Sequence, residues 1–404
     1  MRILRLAWRN VWRNSRRSLV TISAMAFALW TMVLYAGLVE GMILGMEGDV
    51  LDLEVGEIQV VAEGYRDDPS LYRVIEDPEA VLARLDELDY PASARLLGGG
   101  LCAVDEESAG VQLVGLNVQR DAGVTLISER VAEGAWLTEG DVQGVVIGRK
   151  LARTIDAHIG DELLVLSQGW EGGLAADLYT VRGILGTVGA SVDSGTVFMS
   201  EVAFRALLDV PTGAHQITVR VPKDTDLVAA TAQIEAFDDG LDAMSWKELM
   251  PFIAMWLEST RGLIGIVYGI IYIAVAILVL NAMLMAVFER IREFGVMKAI
   301  GYSPSTVFGV IAVESAIQTA LGTVVGLVLA MPVMFYLATV GIDTGALGGM
   351  SMMGMSMQQN WMGVYSPQVL ATPIAVLWFM VGAAAVLPAL RAARISPVAA
   401  MRHR

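Results

Sequence analysis

Residues 9–39 read RNVWRNSRRSLVTISAMAFALWTMVLYAGLV, and the change of character at Ser18 decides the fold. Arginines stand at 2, 5, 9, 13, 16 and 17, and the next twenty-two residues, 18–39, carry no charge. A secretory signal also begins with basic residues, but its apolar core is about 7–15 residues, shorter than this one. A bilayer core takes about 20 apolar residues as a helix, so the stretch is long enough to span. Cationic flanks are held on the cytoplasmic face, which predicts a cytoplasmic N-terminus.

Three further spans follow. Residues 262–288 carry no charge, 306–340 carry only Glu314, and 344–390 carry none. The last stretch is too long for one helix, and Pro367 and Pro373 predict that its span starts near Ala371. Four spans put both termini on one side. Arg290, Arg292 and Lys298 between spans two and three, and Arg391, Arg394, Arg402 and Arg404 in the tail, join the six N-terminal arginines there. The expected fold is an α-helical membrane protein with four transmembrane helices and a large α+β extracytoplasmic domain between helices one and two. The segments are an amphipathic stretch 1–17, span 18–46, domain 47–258, span 262–288, loop 289–305, span 306–340, Met-rich outer loop 341–370, span 371–390 and tail 391–404.

The net charge of −15 hides a division. Residues 47–258 hold 38 acidic and 14 basic side chains, whereas the remainder holds 5 acidic and 14 basic. The acidic block lies outside; it offers no basic patch for nucleic acid, and it suits solubility or basic partners. Cys102 is the single cysteine, so no intrachain disulfide holds this domain, and about 210 residues suffice for a core of one or two modules.

Within it, VGEIQVV (55–61) alternates as a half-buried strand. DPEAVLARLDEL (77–88) reads as a helix with Pro78 in its first turn. Strand-like SARLLGG, GLCAV and GVQLVGL follow, and later HQITVRV and the helix-like DLVAATAQIEAF. These pairs predict one α+β module made from both ends of the segment, with a second module inserted at about 126–208. The insert contains GVVIGRKLARTIDAHIGDELLVLSQ, a helix, a Gly160-Asp161 turn and a strand, then strand-like DLYTVRGIL and SGTVFMS. His158 and His215 are isolated and show no zinc-ligand spacing, so both are read as structural or surface residues.

The loop ERIREFGVMKAIGYSPSTVF (289–308) predicts a helix on the cytoplasmic face that ends at Gly301, with Ser303-Pro304 opening the next. Phe294, Met297 and Ile300 would point toward lipid or a partner groove, with Arg290, Glu293 and Lys298 solvated. An ordinary interfacial helix has the same pattern.

Glu289, Arg290, Glu293, Phe294, Gly295, Lys298, Ala299, Ile300 and Gly301 lie in a stretch that resembles the signature of the FtsX/MacB-like ABC transporter permeases. LAWRNVWRNSRRSLVTISAMAFA resembles that family's N-terminal approach to span one, PALRAARISPVAAMR its C-terminal signature, and VVIGRKLA with IGDELLV its periplasmic domain. The resemblance implies a permease of the bacterial inner membrane with a periplasmic domain. It further implies a docking helix for an ABC ATPase dimer, a second permease of the same or a homologous chain, and ATP-driven closure passed outward as mechanical motion (the type VII mechanism). No G-x-x-x-x-G-K-[ST] loop occurs, so the chain is expected not to be an enzyme itself. It is expected to hold no cofactor, with ATP and Mg in the partner. The four-span plan and GEIQVVAEGYRDDPSL resemble the lipoprotein-releasing LolC/LolE-type permeases, which implies lipoprotein cargo and a periplasmic acceptor. Efflux of peptides or small hydrophobic molecules, and non-transport signalling to cell-wall enzymes, are the alternatives.

Glu314 is an ionisable group some nine residues inside span three, read as an anchor for an arginine or as a transport residue. Phe27, Trp30, Tyr35, Ile271, Ile273 and Leu278 are candidates to line an apolar cavity between protomers, or to face lipid. Met350, Met352, Met353, Met355, Met357 and Met362 crowd one outer loop; thioethers suit Cu(I), but without Cys or His a pliable apolar loop has the same composition.

Overall fold

The computed structural model describes residues 2–13, 15–222, 225–343, 351–352, 355–356 and 360–396. The chain divides into two compact units: residues 1–43, 257–343 and 360–404, and residues 44–256 with 344–359.

The first unit is helical. A short N-terminal helix, Arg2–Arg13, precedes four helices long and apolar enough to cross a membrane: Ser15–Leu53, Pro251–Glu289, Pro304–Thr339 and Pro367–Arg394. The first, second and fourth exceed the predicted spans, because helix continues past the charge-free residues at their ends, and the third begins two residues earlier and ends one earlier than 306–340. The fourth begins at Pro367, not 371: Ser366 caps it by accepting from the Val369 N–H at 3.2 Å. Pro373 sits inside the helix, where it forfeits one hydrogen bond. Met25, Leu29, Tyr272, Met283, Phe294, Met334 and Leu377 form the buried centre of this unit. Spans one and three meet through glycine. A Cβ on Gly326 would lie 2.9 Å from the Ala26 carbonyl oxygen, and one on Gly322 3.0 Å from Met25 Cβ, so the helices approach as closely as small residues permit. The segment after residue 360 is strapped across them, with Gly363 N–H donating to Leu337 O at 2.8 Å and Val364 N–H to Gly37 O at 2.9 Å. Part of the Met-rich loop, including Met350, Met353 and Met357, lies outside the described residues, and the copper reading with it.

The second unit is built on a sheet of ten strands: β1 Ile58–Ala62, β2 Ala92–Val104, β3 Glu107–Leu116, β4 Val131–Gly134, β5 Gly144–Ile147, β6 Glu162–Gln168, β7 Leu174–Leu185, β8 Thr196–Ser200, β9 Gln216–Val219 and β10 Leu241–Ser245. Strands run β10-β1-β9-β2-β3-β8-β5-β7-β4, with β6 bridging β2 and β7. The first four are mutually antiparallel, and the helices Pro78–Glu87 and Leu227–Glu235 join β1 to β2 and β9 to β10. This is a split β-α-β-β-α-β module assembled from both ends of the segment. Asp77 and Asp226 cap the two helices through their carboxylates.

The insert starts at 105, not 126. SARLLGG and GLCAV are one strand, β2, whose first residues pair with β9 and whose last pair with β3 and β6. The glycines between them make room rather than a turn: a Cβ on Gly98 would lie 3.2 Å from the Phe204 ring, and one on Gly100 2.7 Å from the Leu166 carbonyl oxygen. Where β2 changes partner, Arg95 lies buried with Asp121 and Thr125. Its Nε donates to Asp121 Oδ1 at 2.9 Å, its Nη2 to Asp121 Oδ2 and Thr125 Oγ1 at 3.2 Å, and Thr125 Oγ1 donates to Asp121 Oδ2 at 2.7 Å.

His215 closes the same junction. Its Nδ1 accepts from the Leu97 N–H at 3.1 Å and its Nε2 faces the Leu71 carbonyl at 3.0 Å, which assigns the proton to Nε2. Burial, with the Arg205 charge, holds its pKa below the ordinary histidine value despite the Leu71 bond. The unfolded chain therefore binds this proton first, so His215 adds stability fully present above about pH 6.5 and lost as pH falls through the depressed folded value. Thermal midpoints of the permease across that window should fall more steeply for the wild type than for His215→Gln, whatever the absolute midpoint of the variant. Parallel slopes would contradict a neutral buried ring.

Candidate functional site at the loop between spans two and three

The loop folds as the helix Ile291–Ala299. It ends where Gly301 takes φ +103°, and Ser303 caps the third span, whose first residue is Pro304. The predicted orientation holds for Ile300 and fails for Phe294 and Met297. Phe294 and Gly295 are buried in the helical unit and Met297 packs on its core, while Val296, Ile300 and Tyr302 are the exposed apolar side chains.

Arg290 lies against the buried face. Its Nη1 donates to Glu314 Oε2 at 3.1 Å, its Nε to Glu293 Oε2 at 2.9 Å, and its guanidinium lies 5.2 Å from the Phe294 ring centroid. Both Arg290 and Glu314 keep only 11% of their side chains exposed, so neither is solvated. Around this pair runs a second ring of charge: Arg13 of the N-terminal helix bonds Glu293, and Arg17 bonds Glu289 at 2.7 Å. Partial burial alone would raise the Glu293 pKa; hydrogen bonds and charge from Arg290 and Arg13 outweigh it and hold the carboxyl below its ordinary value. Lys298 completes the clamp by donating to the carbonyls of Ala393 and Ile395, at 2.8 and 2.7 Å, where the fourth span ends. Ala299 and Gly301 are exposed beside it.

Glu314 is not isolated in hydrocarbon. One turn further along its helix, Gln318 Nε2 donates to Ser18 Oγ at 3.4 Å, and Ser18 is where the charge-free stretch of span one begins. Glu314 therefore sits level with the arginines. With Arg17, Arg290, Thr21 and Gln318 it lines a cavity of about 20 Å³, room for a single water.

The cavity candidates scatter. Phe27, Ile273 and Leu278 are exposed, whereas Trp30, Tyr35 and Ile271 pack partly on the core; only Phe27 and Trp30 form a ring pair, 5.6 Å apart. Missed altogether were the carbonyls held by Lys298 and the pairs from Arg13 and Arg17, whose partners lie far along the chain.

Residues 18–237 match the model of the MacB-like periplasmic core domain, and residues 265–397 that of the FtsX-like permease C-terminal region. The chain belongs to the FtsX/MacB-like ABC transporter permeases. LolC, the lipoprotein-releasing system transmembrane protein of Neisseria meningitidis, is 23% identical to this permease over 343 residues, 81% of the chain and 79% of LolC. The macrolide export ATP-binding/permease protein MacB of Nitrobacter winogradskyi is 32% identical over 144 residues, 36% of the chain and 20% of that protein. The periplasmic region of MacB from Actinobacillus actinomycetemcomitans aligns in structure with 51% of the permease and 95% of that chain, at 16% identity and a TM-score of 0.37. Membership makes this a multi-pass membrane protein and implies an ATPase partner and a dimeric assembly.

Proposed function

We propose that this permease works with a separate ABC ATPase dimer, which holds ATP and Mg, to extract lipoproteins from the bacterial inner membrane and pass them to a periplasmic acceptor. The observation that carries the coupling role is the clamped loop helix. It is bonded through Glu293 to Arg13 of the N-terminal helix, through Arg290 to Glu314 of the third span and through Lys298 to the Ala393 and Ile395 carbonyls where the fourth span ends, and Glu289, the last residue of the second span to which it is joined, is bonded to Arg17 of the first. A push on Val296, Ile300 and Tyr302 is thus delivered to all four spans. Both termini and this loop are then cytoplasmic, and the domain periplasmic. Lipoprotein as cargo is favoured by the likeness to LolC, which extends over most of both chains.

Acyl chains bury at about 0.8 kcal/mol per CH₂, so their removal from lipid needs an apolar host and an energy source. Cysteines introduced singly at Trp30, Tyr35 or Ile273 should crosslink to a triacylated lipoprotein in membranes, with ATP lowering the yield. Cys102 does not interfere, because it is buried and burial pushes its thiol up to about 11. Absence of crosslinks at these positions, together with export of a soluble peptide or drug, would move the cargo to efflux.

A further inference from the structure

The N-terminal helix Arg2–Arg13 presents three stripes. Ala7 and Val11 are fully buried, and the helix packs on the third span. Leu4, Trp8 and Trp12, each one turn from the next, are 64%, 47% and 52% exposed. Arg5 and Arg9 form the adjoining stripe and are exposed too. Between this helix and the third span runs an open groove of about 530 Å³, bounded by Leu4, Arg5 and Trp8 on one side and Ile317, Leu321 and Val324 on the other.

Its depth follows from the contact of Gln318 with Ser18, the first residue of the charge-free stretch in span one. Ile317 therefore lies where charge gives way to apolar sequence, and Leu321 and Val324 lie one and two turns farther in, about 6 and 10 Å along the axis. That is the boundary between headgroups and acyl chains, where a Trp stripe beside an Arg stripe is at home. The charge of the occupant also follows. No acidic residue precedes Glu40, and Arg13 and Arg17 are engaged by Glu293 and Glu289, whereas Arg5 lines the groove with Arg9 one turn on.

We propose that this groove is a binding site for an anionic phospholipid, with one acyl chain laid against Trp8, Leu321 and Val324 and the phosphate held by Arg5 and Arg9. The site is independent of what the permease transports. A cation near an anionic lipid surface strengthens binding about five-fold, so two should favour an anionic over a zwitterionic lipid by about thirty-fold.

The test uses the full-length permease in lipid nanodiscs, titrated with phosphatidylglycerol or phosphatidylcholine carrying brominated acyl chains. Quenching at Trp8 is read as the difference between the wild type and Trp8→Phe. Phosphatidylglycerol should reach half-quenching at about one-thirtieth the mole fraction of phosphatidylcholine. Arg5→Gln with Arg9→Gln should abolish this preference by weakening phosphatidylglycerol quenching far more than phosphatidylcholine quenching, while Ala320→Phe, at a residue that lines the groove, should fill it and weaken both. Equal quenching by the two lipids, or a preference that survives loss of both arginines, overturns the proposal. So does loss of all quenching in the double variant, because the arginines would then hold the helix rather than a lipid.

Discussion

Arg290→Ala should cut permease-dependent ATP turnover by the assembled transporter more than tenfold. The substitution leaves Glu314 buried beside a lost guanidinium, and breaking a buried pair by removing one partner costs about 3–5 kcal/mol, when about 1.4 kcal/mol is already a factor of ten. It also removes the contact over Phe294, so the loop helix loses its seat. Glu293→Gln tests the other extreme. Glu293 and Arg13 keep 42% and 58% of their side chains exposed, such pairs are worth at most about 1 kcal/mol, and a Gln oxygen can still accept from Arg290, so turnover should fall less than about fivefold. Arg290→Lys should rescue little, since an ammonium cannot bond two carboxylates in a plane and stack on a ring. Adding Glu314→Gln to Arg290→Ala should restore part of the loss by removing the stranded charge. If Arg290→Ala keeps wild-type stimulation, or Glu293→Gln is as damaging, the buried pair is not what seats the helix.

The second large effect lies in the sheet unit. Asp121→Asn keeps the shape of the side chain but removes the carboxylate charge that faces the Arg95 guanidinium, 5% exposed, and should lower the unit's unfolding free energy by about 3 kcal/mol in urea titrations. Replacing both residues, as Arg95→Met with Asp121→Leu, should recover most of that, because two well-packed apolar side chains need no compensation. A double variant no better than Asp121→Asn would mean that the triad supplies more than mutual neutralisation.

What was legible in the chain was local. The end of the loop helix at Gly301, the helix opened at Ser303-Pro304, and the helices over DPEAVLARLDEL and DLVAATAQIEAF each depend on nearby residues, and all stand as read. The four spans were equally plain, since their signal is the absence of charge over about 20 residues. What failed was decided at a distance. Arg290 looked solvated because Glu314, its partner, is 24 residues away. Gly98 to Gly100 looked like a break because nothing nearby announces that Phe204 and the Leu166 carbonyl need the space. Pro373 looked like a boundary, although a helix can spare one hydrogen bond there.

The continuity of β2 bears on how this protein can be recombined. One strand supplies hydrogen bonds to β9 at its start and to β3 and β6 at its end, and Arg95 anchors the changeover. A cut anywhere between residues 92 and 104 breaks two half-sheets at once, and a graft taken from 126 onward arrives without the strand its sheet is built on. Chimaeras that exchange the domain between relatives must therefore carry the whole of 56–245 as a single cassette. A smaller exchange would leave β2 facing partners it was not selected with, so a change of specificity is more safely built by substitution within the domain.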